Sequence, residues 1–128
     1  MPKVNRYYTA NKYHNRKVTV DGITFDSTKE CRRYLDLKLL ERCGKISNLE
    51  LQKRFELIPA QYEPSHVGVR GGTIKGKLLE RAVAYIADFV YTENGKLVVE
   101  DTKGMRTAEY KIKRKLMLYK YGIRIREL

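Results

Sequence analysis

The chain has 128 residues and a net charge of +12, from 27 Lys and Arg against 15 Asp and Glu. This length suffices for one domain with a hydrophobic core and is short for two. No apolar run approaches the roughly 20 residues that cross a bilayer, and no signal-peptide segment opens the chain, which predicts a cytoplasmic protein. Two Cys and two isolated His cannot form a zinc cluster, so any metal is predicted to have oxygen ligands.

The positive charge is uneven along the chain. No acidic residue precedes Asp21, and the segment from Arg106 to Arg126 carries eight Lys and Arg. Such a field favours a polyanionic partner, which at this point is DNA, RNA or an acidic membrane surface. No amphipathic helix with a bulky apolar face supports the membrane. The alternative is that these charges are merely solvated. Residues 1–15 are predicted to be a mobile basic tail and residues 16–128 a single domain.

The first half of the chain predicts a hairpin, a helix and a strand. "KVTV" and "ITF" flank Asp21-Gly22, a two-residue hairpin turn. Ser27 with Glu30 three residues later is a capping signature, and it predicts a helix that ends at Gly44. The predicted apolar face of this helix consists of Cys31, Tyr34, Leu35, Leu37, Leu39 and Leu40. "ISNLELQKRFELI" alternates as a strand that Pro59 ends, and the Gly-rich segment at about 59–78 is predicted to be a flexible loop.

The second half predicts a two-stranded ribbon, a helix and a last strand. The ribbon spans residues 85–104, with Asn94-Gly95 as its turn. The helix is capped by Thr107 and ends at Gly122, and Ile112, Leu116 and Tyr119 are predicted to be core. "IRIREL" closes the chain as a strand, parallel to the second ribbon strand. The prediction is therefore a mixed α+β fold with a mixed central sheet flanked by helices, in the order hairpin-α-β-β-β-α-β.

Two aspartates on the ribbon indicate a functional site. The turn pairs Glu93 with Lys96, which puts Asp88 opposite Asp101 and Lys103 on the same face. Facing carboxylates repel each other, and a Mg²⁺ ion held by both would offset this repulsion. The alternative is a pair of sheet-edge residues that keep the hairpin soluble. Glu100 is predicted to lie on the other face. A bulge would make Glu100 and Asp101 exchange faces of the ribbon. Asp101 is favoured, because it lies two residues from Lys103 and therefore on the same face.

Asp88 followed by Asp101-Thr102-Lys103 across a hairpin resembles the signature of the PD-(D/E)XK nuclease superfamily. "FDSTKECRRY", "ISNLELQKRFELIPA", "YIADFVY" and "VVEDTKG" resemble a family of small phage proteins assigned to it. The resemblance implies a restriction-endonuclease-like core, which runs helix, three antiparallel strands, helix, strand. Ala87 stands where the superfamily's name has Pro. This departure leaves the carboxylate of Asp88 in place.

The resemblance also implies roles for individual residues. Asp88 and Asp101 would hold Mg²⁺ or Mn²⁺, and Lys103 would orient or deprotonate the attacking water or stabilise developing charge. Glu30 would be a further metal ligand and catalytic residue; the competing interpretation is that it only completes a capping box with Ser27. The residues expected to contact DNA are Lys111, Lys113 and Arg114 on the second helix and Arg70, Lys75 and Lys77 on the Gly-rich loop. For each of these, an ordinary solvated side chain is the alternative.

The implied activity is metal-dependent hydrolysis of DNA phosphodiester bonds. Small size and a strong basic field favour branched or Holliday-junction DNA in phage recombination or replication, with a homodimer as an option and a bacterial host cytoplasm as the setting. A nicking or end-processing nuclease is a rival within the class. A non-catalytic nucleic-acid-binding protein of the same fold and an inhibitor of a host nucleic-acid enzyme are rivals outside it. The inhibitor would show no dependence on divalent metal.

Overall fold

The computed structural model of the protein describes residues 16–103 and 106–128. The basic tail predicted at residues 1–15 lies outside the described residues. The helices are α1 (Thr28–Arg42) and α2 (Ala108–Tyr121). The strands are β1 (Val18–Val20), β2 (Ile23–Phe25), β3 (Ser47–Ile58), β4 (Gln61–Tyr62), β5 (His66–Val67), β6 (Thr73–Ile74), β7 (Leu78–Glu80), β8 (Val83–Glu93), β9 (Lys96–Asp101) and β10 (Arg126–Glu127).

A four-stranded mixed sheet forms the centre of the fold, in the order β10-β9-β8-β3. The neighbours β3, β8 and β9 are antiparallel, whereas β10 runs parallel to β9. The parallel pair is connected through α2, because two parallel neighbours need a crossover rather than a tight turn. The prediction of a mixed α+β fold with two helices and a mixed sheet is confirmed.

The helices begin and end where their capping residues predict. The Ser27 side chain accepts a hydrogen bond from the backbone N–H of Glu30 at 3.1 Å, and Thr107 accepts one from Tyr110 at 3.1 Å. Gly44 after α1 and Gly122 after α2 have φ angles of +73° and +67°, the left-handed conformation that favours glycine. Neither helix of the described chain is long and apolar enough to span a membrane.

Two hydrophobic cores lie on opposite faces of the sheet. The first, against α1, contains Phe25, Cys31, Tyr34, Leu37, Ile46, Phe89 and Tyr91. The second, against α2, contains Phe55, Leu57, Tyr85, Ala87, Val90, Val99 and Met117. The two cores are on opposite faces because the consecutive strand residues Phe89 and Val90 belong to different ones.

Four residues predicted to lie on an apolar helix face or in the core are exposed. Leu35 and Leu39 of α1 are 47% and 60% exposed, and Ile112 and Tyr119 of α2 are 59% and 89% exposed. Those predictions are wrong, because helical spacing shows which residues share a face but not which face meets the sheet. In α2 the fully buried residue is Met117, with Leu116 partly buried beside it.

The alternation of side chains along β3 and β8 changes at one facing position. Tyr91 and Phe89 lie in the first core, whereas Ala87, two residues before Phe89 on the same strand, lies in the second. On β3 the residues before and after Gln52 pair with Phe89 and Ala87, but Gln52 itself pairs with no residue of β8 and has a φ of +51°. The sheet therefore has a local break at Gln52 and Asp88, which frees both side chains from the two cores.

The segment predicted as a loop at about 59–78 forms four short strands. β4 pairs with β7 and β5 with β6, continuing the antiparallel register of β3 and β8 with one-residue shifts. None of residues 59–82 is buried. We call residues 59–82 the arm. The segment was predicted to be a loop, but it contains strands, because cross-strand hydrogen bonds form despite its Gly and Pro content. One of these bonds joins Glu63 N–H to Lys77 C=O at 2.8 Å.

Candidate active site

Three carboxylates from different elements are buried at the break in the sheet. Glu30 is in the first turn of α1, Asp88 is in the middle of β8 and Asp101 ends β9. They are only 6%, 2% and 3% exposed, respectively. Lys103, two residues after Asp101, is exposed. Burying a carboxylate is costly unless hydrogen bonds or a cation compensate it, so the partners of each define the site.

Asp88 is held by Thr102, the residue that follows the end of β9. Its Oδ2 accepts from the backbone N–H and the hydroxyl of Thr102, both at 2.9 Å. Backbone pairing of β8 with β9 follows the predicted register from Glu93 and Lys96 to Phe89 and Glu100. Asp88 and Asp101 are the next residues on their strands, but the Thr102 N–H bonds to the Asp88 side chain, and regular pairing ends before them.

Asp101 is held by two donors. Its Oδ2 accepts from the Tyr85 hydroxyl at 2.7 Å, and its Oδ1 accepts from the backbone N–H of Lys103 at 2.9 Å. Burial, followed by the hydrogen bond to Asp101, raises the pKa of Tyr85, so the phenol remains a donor at neutral pH. The carboxylate orientation is therefore fixed by the fold.

The backbone of Glu30 contacts the helix cap, whereas its side chain faces the other carboxylates. Its backbone N–H is capped by Ser27, while its carboxylate Oε1 accepts a hydrogen bond from Gln52 Nε2 at 3.1 Å. Burial raises the pKa of Glu30 to about 7, with further contributions from Asp88 and Asp26. The Glu30 carboxylate therefore faces the site, while the Glu30 backbone N–H is bound by the helix cap Ser27.

The carboxylates repel one another electrostatically. Burial, and secondarily the charge of Asp101, raises the pKa of Asp88, while the hydrogen bonds from Thr102 oppose the rise. Lys103 favours the charged forms of both Glu30 and Asp88. The site therefore has an excess of negative charge that a cation would relieve.

Gln52 is a residue of the site that the sequence did not indicate. Its Nε2 donates to Glu30 at 3.1 Å and makes a longer contact of 3.4 Å to Asp88 Oδ1. In a regular strand, the side chain of Gln52 would point to the face opposite that of Leu51 and Lys53. Its left-handed backbone instead turns it towards the carboxylates, and no sequence signal marks that conformation.

Glu100 lies on the other face of the ribbon, as its parity predicted. It is fully buried, and Arg33 of α1 donates to both of its oxygens at 2.8 and 2.7 Å. The Tyr91 hydroxyl donates to it as well. Glu100 thus anchors α1 to the sheet, and Asp101 is the carboxylate that shares the site with Asp88.

The basic residues predicted to contact DNA differ in their surroundings. Lys111 is exposed on α2, whereas Lys113 pairs with Glu109 at 3.0 Å and Arg114 with Glu127 at 2.8 Å. Lys113 and Lys103 line the same cavity of about 350 Å³ beside the start of β8. The remaining predicted DNA contacts, Arg70, Lys75 and Lys77, lie exposed on the arm.

The donor set is compatible with a hard divalent cation. Within residues 16–103 and 106–128, no three His, Cys, Asp or Glu side chains form a group able to hold a metal ion. Mg²⁺, however, is commonly bound by one or two carboxylates, with water and substrate phosphate as its other ligands. The oxygens of Asp88, Asp101 and Glu30 are of this type, and their mutual repulsion favours a cation. Mg²⁺ or Mn²⁺ at these carboxylates therefore stays a prediction, supported by the type of their oxygen ligands.

Fold and site together define a mixed α+β protein with buried carboxylates at a break in its central sheet. The chain belongs to the DUF1064 family, whose model, described as a protein of unknown function, matches residues 10–126. No curated protein and no solved structure matches the chain significantly.

Proposed function

We propose that the protein is a divalent-metal-dependent DNA endonuclease with a restriction-endonuclease-like core, selective for branched DNA such as a Holliday junction. The proposal rests on the meeting of Glu30, Asp88 and Asp101 at one break in the sheet, next to Lys103. A sheet gains no stability from three buried, mutually repelling carboxylates. A catalytic or metal-binding role explains why they are there.

Each residue of the site has a role in this proposal. Asp88 and Asp101 would hold Mg²⁺ or Mn²⁺, with Glu30 as a further ligand. Such an ion would polarise a phosphodiester and lower the pKa of a bound water. Tyr85 and Thr102 fix the orientation of the two aspartates through the hydrogen bonds described above. Lys103 borders the cavity beside the site, where its ammonium would contact the phosphate that is cut.

The basic surface would hold the DNA. The chain carries a net charge of +12, and phosphate contacts supply most of the affinity of such interfaces. Lys111 has an exposed ammonium for this purpose, while Lys113 and Arg114 would have to share theirs with Glu109 and Glu127. The proposed setting is the cytoplasm of a bacterial host during phage recombination or replication, with the protein acting as a monomer or a homodimer.

A non-catalytic nucleic-acid-binding protein is the second candidate. The Gln52 amide favours it, because this amide already donates to Glu30 and contacts Asp88, and it thereby offsets part of their charge without a metal. Such a protein would keep the fold and the basic surface, and it would bind DNA equally well with and without divalent metal.

The deciding experiment is cleavage of labelled four-way junction, flap, single-stranded and linear duplex DNA in Mg²⁺, Mn²⁺ or EDTA. The native protein is compared with Asp101→Ala and with Asp36→Asn, which alters an exposed carboxylate of α1. Cleavage that needs metal, survives Asp36→Asn and disappears in Asp101→Ala supports the nuclease. Equal binding by all three proteins without cleavage of any substrate overturns the nuclease in favour of the binding protein.

A further inference from the structure

The arm is an ordered two-stranded ribbon without a core of its own. From Ile58 to the tip at Val69 it extends by up to about 35 Å at about 3.3 Å per residue. Isolated two-stranded ribbons are marginally stable in water, and none of the arm's residues is buried. Exposed apolar side chains occur along its whole length: Tyr62, Val67, Val69, Ile74, Leu78 and Leu79. A ribbon without a core that exposes apolar side chains is typical of a binding surface.

The charge of the arm selects the class of partner. It carries four basic residues, Arg70, Lys75, Lys77 and Arg81, against the two acidic residues Glu63 and Glu80. The whole chain is also strongly positive, so the arm of one copy is repelled by a second copy. The Lys75 ammonium lies 3.8 Å from the centre of the Tyr62 ring, which holds it against the ribbon. These charges match a polyanion.

The shape of the arm selects the form of the polyanion. The major groove of B-form DNA is about 12 Å wide and admits a two-stranded ribbon. Arg70 at the tip can reach base edges or phosphates, and the aliphatic side chains can contact thymine methyl groups. The arm is continuous with β3 and β8, the strands that carry Gln52 and Asp88. A groove that holds the arm is therefore fixed relative to the carboxylate site.

We propose that the arm lies in the major groove of duplex DNA beside the carboxylate site and makes the protein require a double-stranded segment flanking the position it acts on. This inference rests on the proposed function for the class of polymer. Arg70, Lys75 and Lys77 are thereby assigned to groove and phosphate contacts within one ribbon.

One glycine allows the shape of the arm to be tested without changing its charge. A Cβ atom on Gly76 would lie 1.9 Å from the carbonyl oxygen of Glu63, so any side chain there forces the two strands apart. A Cβ atom on Gly72 would have no other atom within 4 Å, and the φ of Gly72 is not positive, so alanine fits there. Gly76→Ala and Gly72→Ala are therefore a matched pair within the arm.

The test measures binding of the full chain to a fluorescent DNA duplex of about thirty base pairs. Binding is measured in EDTA from the fluorescence anisotropy of the duplex, over a range of salt concentrations. Replacing Arg70, Lys75 and Lys77 together by Gln should lower the slope of log affinity against log salt by about 2.7 and weaken binding at least about tenfold near 0.1 M salt. The control replaces Arg42, Lys45 and Lys96, exposed at the other end of the sheet, by Gln and should leave the slope unchanged.

Gly76→Ala should weaken duplex binding by at least about fivefold while Gly72→Ala binds like the native protein, because the matched pair differs only in the collision with Glu63. Circular dichroism checks that both fold. The proposal is overturned if the triple arm variant and Gly76→Ala bind duplex like the native protein, or if the native protein binds single strands as tightly as duplex. Duplex binding that depends on the arm, without metal-dependent cleavage, would sustain the contact between the arm and the major groove and refute the nuclease.

Discussion

Gln52 on β3 and Asp88 on β8 occupy facing positions where the pairing of the two strands is interrupted, and the Gln52 amide nitrogen lies 3.4 Å from Asp88 Oδ1. The same nitrogen donates to Glu30 at 3.1 Å. One amide thus contacts two buried carboxylates that repel each other. This relationship links the backbone conformation of β3 to the electrostatics of the candidate site.

Replacing Gln52 tests the backbone strain at the break. Gln52→Ala and Gln52→Gly both remove the amide, so their difference reports on the backbone alone. In an ordinary strand glycine is the less stable of the two by about 0.5–1 kcal/mol. At a φ of +51° we expect the reverse, with Gln52→Gly more stable than Gln52→Ala by about 0.5–1 kcal/mol in urea unfolding. Glycine less stable than alanine would show that the left-handed conformation is not populated.

Glu30→Gln should make the protein less sensitive to alkaline pH. The folded-state pKa of Glu30 is about 7, above the ordinary value of 4.5, so folding favours the protonated form. Stability from this group is complete below pH 4.5 and is lost as the pH rises to about 7 and above. At pH 8 the free energy of unfolding of Glu30→Gln, measured in urea, should therefore exceed that of the native protein by on the order of 1–3 kcal/mol. Near pH 4 the two free energies should be equal.

The control for this pH experiment is Glu109→Gln, which alters an exposed carboxylate of α2. Its stability difference from the native protein should stay within about 0.5 kcal/mol at both pH values. If the free energy of unfolding has the same pH dependence in Glu30→Gln and Glu109→Gln, burial does not destabilise the ionised form of Glu30.

Divalent metal should stabilise the folded protein through Asp88. At about 100 times its Kd, a bound ion contributes about 2.7 kcal/mol to the free energy of unfolding. We therefore expect Mn²⁺ to raise the thermal midpoint of the native protein and of Asp36→Asn, but to leave that of Asp88→Asn unchanged. An equal rise in all three would place the ion elsewhere on the molecule. The measurement is differential scanning fluorimetry with Mn²⁺ and EDTA.

The buried pair of Arg33 and Glu100 should be important for stability and not for metal binding. Removing the arginine leaves a fully buried carboxylate without its bidentate partner, so Arg33→Met should cost about 3–5 kcal/mol. Adding Glu100→Gln to Arg33→Met should recover part of that loss. The Mn²⁺-induced rise in thermal midpoint should persist in the double variant. The free energies of unfolding of the single and double variants are measured in urea. If the losses of the two single variants simply add in the double variant, Arg33 and Glu100 are not coupled.

Much of the local structure followed from the sequence, because short-range chemistry determines it. Ser27, Thr107, Gly44 and Gly122 set the ends of the helices, and Asn94-Gly95 set the turn of β8 and β9. Once that turn was fixed, the period of two separated Glu100 from Asp101 onto opposite faces. These features depend on neighbouring residues, whose preferences are read directly from the chain.

The tertiary structure alone decided the features that depend on distant contacts. The left-handed Gln52, which brings an amide to Glu30 and Asp88, is imposed by the switch of both strands from one core to the other, and no local preference for it exists. The exposure of Leu39 and Tyr119 follows from how each helix is rotated against the sheet. The arm's strands form because cross-strand bonding in a fixed register outweighs the turn preference of its glycines. In each case the decisive energy comes from residues far apart in the sequence.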